Sequence, residues 1–161
     1  MEFSDVIKNR YSCKKFSSEQ IGKDKLDAIL EAGRVAPTAK NLQEQHIYVV
    51  QSESALETID KLTPCRYNAP TVLIVAYNKN NVFTYLGDKR NSGIEDATIV
   101  ATHLMLAAYN EGVDSCWINF FNPDELAKAF NLPEDEEILM LLDLGVADKT
   151  TTPLPLSLIH I

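Results

Sequence analysis

Residues 71–77 read Thr-Val-Leu-Ile-Val-Ala-Tyr, an apolar run with no charge in it. A strand with one wet face alternates apolar and polar residues, because successive side chains point to opposite faces. This run does not alternate, so the strand has to be covered on both sides. The neighbouring patterns supply the cover. Residues 4–10 predict a short helix with Ser4 as its cap and Val6 and Ile7 facing inward. Ile21, Leu26, Ile29 and Leu30 recur at helical spacing, which predicts a second helix over about 23–35, stopped by Pro37. Residues 46–51 are β-branched and aromatic, as in a strand, and Ala55, Leu56, Ile59 and Leu62 mark a third helix.

A polar stretch, 78–93, reads as a loop with room for some helix. The longest helix follows: Ser92 and Glu95 form a Ser-x-x-Glu capping box, and Gly112 stands at the position of a terminating glycine. Its apolar residues cover a wide face, so it should be central and largely buried. Residues 115–121 predict a strand. Asn122-Pro123-Asp124-Glu125 supplies a cap, a first-turn proline and acidic residues for a helix ending near Phe130, and residues 138–146 form the last strand. Alternating helices and strands, without a repeat or flexible linker, imply one α/β or α+β domain over residues 1–161. Such a length buries roughly 70 % of the surface that the unfolded chain exposes.

Composition removes several classes of function. Fifteen Lys and Arg against 23 Asp and Glu give a net charge of −8, which disfavours nucleic acid as a partner. No apolar run, 138–142 included, comes near the length of a membrane span, and the first residues lack the apolar core of a secretory signal. The expected setting is therefore cytoplasmic, with no membrane partner. Three cysteines (Cys13, Cys65, Cys116) and three histidines (His46, His103, His160) are scattered, with no paired-ligand spacing, so neither a metal nor a disulfide framework is expected. Six dispersed glycines cannot build a phosphate-cradling loop. A phosphorylated cofactor would have to be held by cationic side chains.

Two segments carry groups suited to that work. Lys8, Arg10, Lys14 and Lys15 concentrate charge within eight residues, and Arg10, Ser12 and Lys14 alternate, so an extended backbone turns them to one side. A guanidinium fork, a hydroxyl and an ammonium suit a phosphate or a pyrimidine-like carbonyl edge; a solvated basic face fits the spacing too. In 36–43, Ala-Pro-Thr-Ala-Lys-Asn-Leu-Gln, small residues follow a helix end, and Asn41 and Gln43 alternate. Their amides can read ring nitrogens and carbonyls, although surface loops are commonly polar without such a role.

Taken together, these segments resemble the flavin-dependent nitroreductase family. Arg10-x-Ser12-x-Lys14 before Phe16 is similar to the family's N-terminal flavin-contacting motif, and Ala36-Pro37-Thr38-Ala39-x-Asn41-x-Gln43 to its second segment. Asn68-Ala69-Pro70, the long helix and Gly112 to Ile118 follow in the family's order, so the resemblance spans residues 2–147.

It implies an α+β fold: a three-layer sandwich with a central mixed, mainly antiparallel sheet flanked by helices, in an intertwined homodimer. FMN would lie at the interface. Arg10, Ser12 and Lys14 would hold its phosphate and pyrimidine edge. Pro37, Thr38, Ala39, Asn41 and Gln43 of the other subunit would approach the ring, with Asn68 and the backbone near Trp117 and Ile118 close by. The implied activity is ping-pong hydride transfer from NADH or NADPH, through flavin N5, to a small-molecule acceptor such as a nitroaromatic or quinone. No side chain need act as a catalytic acid or base, since the cofactor carries the chemistry. The chain departs from the family in three places: Glu44-Gln45 where Pro-Trp is common, Asn119 where glycine is favoured, and a 148–161 tail with no cation beyond Lys149. The alternative, motivated by the tail and by Glu44-Gln45, is a flavin-binding module for storage, sensing or partner binding without robust turnover. A flavin-free anion-binding scaffold is the third.

Overall fold

The structure, a computed structural model, describes residues 1–87 and 89–154. The order of elements is α1 (Phe3–Asn9), α2 (Lys23–Arg34), a short 3-10 turn (Ala39–Asn41), β1 (Gln45–Val50), α3 (Glu53–Leu62), β2 (Thr71–Asn78), α4 (Gly93–Asn110), β3 (Asp114–Ile118), α5 (Pro123–Ala129) and β4 (Glu136–Gly145). The four strands form one antiparallel sheet in the order β1-β2-β4-β3. Among the described residues one parallel contact joins it, an isolated bridge between Ser12 and Ser115.

The apolar run is the inner strand β2, and its two faces feed two cores. Leu73, Val75 and Tyr77 pack with Ile29 of α2 and Val100 and Leu104 of α4; Val72 and Ile74 pack with Ile59 of α3 and Leu126 of α5. Helices therefore cover both sides of the sheet, which makes the sandwich three-layered. Every residue from Thr71 to Tyr77 is buried, as continuous cover requires.

Several local expectations need correction. Glu2, not Ser4, is the N-cap of α1, and Ile7 stays exposed while Val6 is buried. The capping box does not form: Ser92 Oγ accepts from Phe83 N–H (3.1 Å), and Glu95 is taken by the Tyr85 hydroxyl. The competing partners come from the preceding loop, which carries an antiparallel bridge between Thr84 and Asn91 and no helix among its described residues. β3 ends at Ile118, three residues early, and β4 starts at Glu136. The other punctuation behaves as the residues dictate. Asn122 accepts hydrogen bonds from the N–H groups of Asp124 and Glu125 at the head of α5, and Gly112 takes φ +69° after α4.

Of the tail, residues 148–154 are described and 155–161 lie outside the described residues. Asp148 N–H donates to Lys15 O (3.0 Å), and Lys15 Nζ reaches Thr150 Oγ1 (2.7 Å) and Asp148 Oδ1 (3.3 Å). The start of the tail thus runs beside the cationic segment and engages one of its lysines. No helix among the described residues is long and apolar enough to cross a membrane.

Candidate active site

The segment from Arg10 to Lys14 is extended and lies beside β3: Cys13 N–H donates to Ser115 O (2.9 Å). Cys13 is fully buried, whereas Ser12 and Lys14 are exposed and Arg10 is half-buried. Arg10 Nη1 rests 3.8 Å from Met105 Sδ on α4. Lys14 enters no ion pair with any described residue, in contrast to Lys15. Phe16 N–H donates to Tyr67 O (3.0 Å), which brings the Tyr67–Asn68 turn to the end of the same segment. Both turn residues have positive φ, and the Asn68 side chain is exposed. In β3, Ile118 is buried among the residues of the α3/α5 core, and the half-buried Trp117 donates from Nε1 to Asn119 Oδ1 (3.0 Å). Arg10, Ser12, Lys14, Asn68 and β3 are therefore one neighbourhood.

The second segment is elsewhere. Residues 38–43 form a tight turn in which Lys40 (φ 53°), Asn41 (φ 55°) and Gln43 (φ 52°) all have positive φ. Non-glycine residues reach that region at a cost, so the turn needs anchors. Thr38 Oγ1 accepts from Gln43 N–H (3.0 Å), and Ala39 N–H donates to Asp96 Oδ1 (2.8 Å) in the first turn of α4. Pro37, Asn41 and Gln43 are exposed; Thr38 and Ala39 are half-buried. Arg10 meets α4 at Met105 and Ala39 meets it at Asp96, nine residues earlier. At a rise of about 1.5 Å per residue, the two contact points are about 14 Å apart along the helix. Within one chain the two segments are not brought together.

Neighbouring groups, from the 78–93 loop and from beneath the turn, complete the second region. Lys40 Nζ lies 4.8 Å from the centre of the Phe83 ring, and the Arg90 guanidinium 5.1 Å from that of Tyr85. The two rings tilt against each other at 5.2 Å. Asp96 and Glu44 are both buried beneath the turn, with their carboxyl groups within hydrogen-bonding reach of each other. Burial pushes the Glu44 carboxyl up to about 7, with Asp96 adding to the rise. The added acid at this departure from the family is thus held partly protonated at neutral pH. Nothing in the sequence pairs Glu44 with a residue 52 positions later. Among the described residues, no three His, Cys, Asp or Glu side chains are arranged to hold a metal ion.

A family profile described as the nitroreductase family matches residues 7–66 and 63–146. The chain belongs to the nitroreductase family. A nitroreductase family protein from Clostridium difficile 630 is 32 % identical and superposes with a TM-score of 0.90, over 96 % of this chain and 88 % of the other. A Bacillus subtilis relative under the provisional name NAD(P)H nitroreductase YodC is 29 % identical, over 95 % of each chain. The same fold occurs in a nitroreductase with bound FMN from Bacteroides fragilis (24 % identity, TM-score 0.82, 100 % and 98 % covered). Like other members of the nitroreductase family, the chain is an oxidoreductase by descent.

Proposed function

We propose that this nitroreductase-family chain is an FMN-dependent NAD(P)H oxidoreductase that works as a homodimer, each flavin site drawing on two subunits. The observation that carries the reading is the separation of the two flavin-type segments along α4. The donor set fits the group. The half-buried Arg10 with the exposed Ser12 and Lys14 forms a cationic edge that suits a phosphate, and Asn41 and Gln43 carry amides at the surface of an anchored turn, Gln43 Nε2 also donating to Arg34 O (3.4 Å). Bound FMN supplies hydride transfer from a reduced nicotinamide to an acceptor such as a nitroaromatic or quinone.

In this reading Arg10 and Lys14 neutralise the phosphate and Ser12 adds a hydroxyl donor. Asn68 and the backbone at Trp117 and Ile118 line the same edge. Pro37, Thr38, Ala39, Asn41 and Gln43 of the second subunit orient the ring. The relative with bound FMN and the one named for NAD(P)H support the choice of cofactors. Apolar side chains left bare support the dimer: Met1 and Phe3 are 66 % and 68 % exposed, beside a groove that Leu106 and Ala107 also line. A cytoplasmic location belongs to the reading, supported by three free thiols.

A purified chain given FMN should turn yellow at one flavin per subunit and run as a dimer on a sizing column. NADH or NADPH should bleach it, and a quinone should restore the colour. Failure to take up flavin would overturn the proposal. Flavin uptake without bleaching would point instead to a binding module, the reading that the cation-poor tail favours.

A further inference from the structure

We propose that Glu44 and Asp96 share a proton and thereby position the 38–43 turn for the flavin ring, a role that rests on the functional reading above. The turn holds three strained residues, and its charged anchor outside itself is Asp96 Oδ1, bonded to Ala39 N–H at 2.8 Å. Asp96 Oδ2 and both carboxyl oxygens of Glu44 are buried and meet no donor from another described residue, Glu44's own N–H giving its carboxylate some relief. Two ionised carboxylates in that contact would repel each other out of reach of water. A hydrogen on Glu44, donated to Asp96, removes the conflict. Asp96 Oδ1 is left free to accept from Ala39 N–H.

Glu44 is fixed from its other side as well, because its carbonyl accepts from Asn78 N–H (2.9 Å) at the end of β2. The pair therefore ties the turn to both α4 and the sheet. Other ionisable groups near the pair face elsewhere. Lys40 stacks on Phe83, Tyr85 is bonded to Glu95 and covered by Arg90, and Tyr77 is bonded to Glu137. None of them donates to the pair.

The direction of the pH effect follows from the proton. With the turn closed, Glu44 titrates near pH 7; exposed to water it titrates near its ordinary value of 4.5. The closed turn therefore binds more protons than the open one across that interval. Closing weakens as pH rises from about 4.5 to about 7 and levels off above.

The test measures amide exchange of residues 39–43 in the flavin-free chain between pH 5 and pH 8, corrected for intrinsic exchange. The opening constant should rise about tenfold per pH unit in the middle of the titration and then flatten. Glu44→Gln keeps a donor to Asp96 without titrating, so its profile should be flat. Asp96→Asn takes away the smaller, Asp96 part of the effect, so the rise should level off at a lower pH than in the wild type. Wild-type and Glu44→Gln profiles that run parallel would overturn the proton-sharing pair.

A second measurement takes the FMN dissociation constant in both proteins. Their ratio, which cancels the titration of the FMN phosphate, should grow about threefold or more from pH 5.5 to pH 7.5. A constant ratio overturns the positioning role. Absence of FMN binding in every variant overturns the functional reading, and the exchange profiles then judge the pair by themselves.

Discussion

Asp143 lies in the inner strand β4, paired across the sheet with Val72 and Cys116, and neither of its carboxyl oxygens has a hydrogen-bond partner among the described residues. Burial pushes its pKa up to about 9, and the Arg66 guanidinium, itself bonded to Asp60, offsets this only in part. The folded pKa stands above the ordinary value, so the native chain holds a proton that the unfolded chain has released at neutral pH. Asp143 then lowers stability progressively as pH rises from about 4 to about 9. Asp143→Asn keeps the shape and removes that titration. It should stabilise the fold by about 2 kcal/mol or more at pH 8, with the gain shrinking toward pH 5, as read by urea unfolding at both pH values. At this scale the sequence says least. The acid is visible inside the run 138–146, but its burial depends on strands that lie on either side of it only after folding. Glu44 and Asp96 are likewise two ordinary acids until the turn closes over them. Ser92 and Glu95 carry a sequence signature, yet Phe83 and Tyr85 occupy both side chains, since a loop that packs on the helix start can outbid a cap.

At the scale of elements, α4 against α2 is the packing that fixes both site segments, because α4 meets Arg10 near one end and Ala39 near the other. The two helices approach closely at Gly33, where an added Cβ would fall 2.7 Å from Leu104 Cδ2. Gly33→Ala should therefore cost about 1–3 kcal/mol in stability by forcing Leu104 from its place, a loss measurable as a lower denaturation midpoint. Elements were the most legible level. Hydrophobic patterning specifies β2 because burial on both faces leaves no place for a polar residue, and Asn122-Pro123 marks the head of α5 because the cap is made within three residues. Strand ends were less legible. Residues 119–121 continue the composition of β3, but β4 pairs with β3 only from Asp114 to Ile118.

For the whole molecule, the two-subunit site makes a prediction that a one-chain site does not. A chain carrying Lys14→Glu and a chain carrying Gln43→Glu should each bind FMN weakly, by about tenfold or more for the loss of a charge-assisted contact. Mixed dimers of the two should recover one tight site in two, because both defects fall in the same site and leave the other intact. Flavin titration of the co-expressed, doubly tagged dimer checks this. Recovery of no tight site would place both segments in one chain's site. The motifs that suggest the site were readable as short strings of residues, but their separation along α4 was not, since it depends on which helix face each one meets. The strand order has a consequence of another kind. β4 is the last of the four described strands and fills the gap between β2 and β3. As the chain leaves the ribosome, β2 has one edge unpaired until the run 136–145 emerges, some sixty residues later. During that delay the apolar run of β2 is open to a neighbouring nascent chain; α2 is already synthesised and α4 emerges partway through, so the shelter of that face is completed only then.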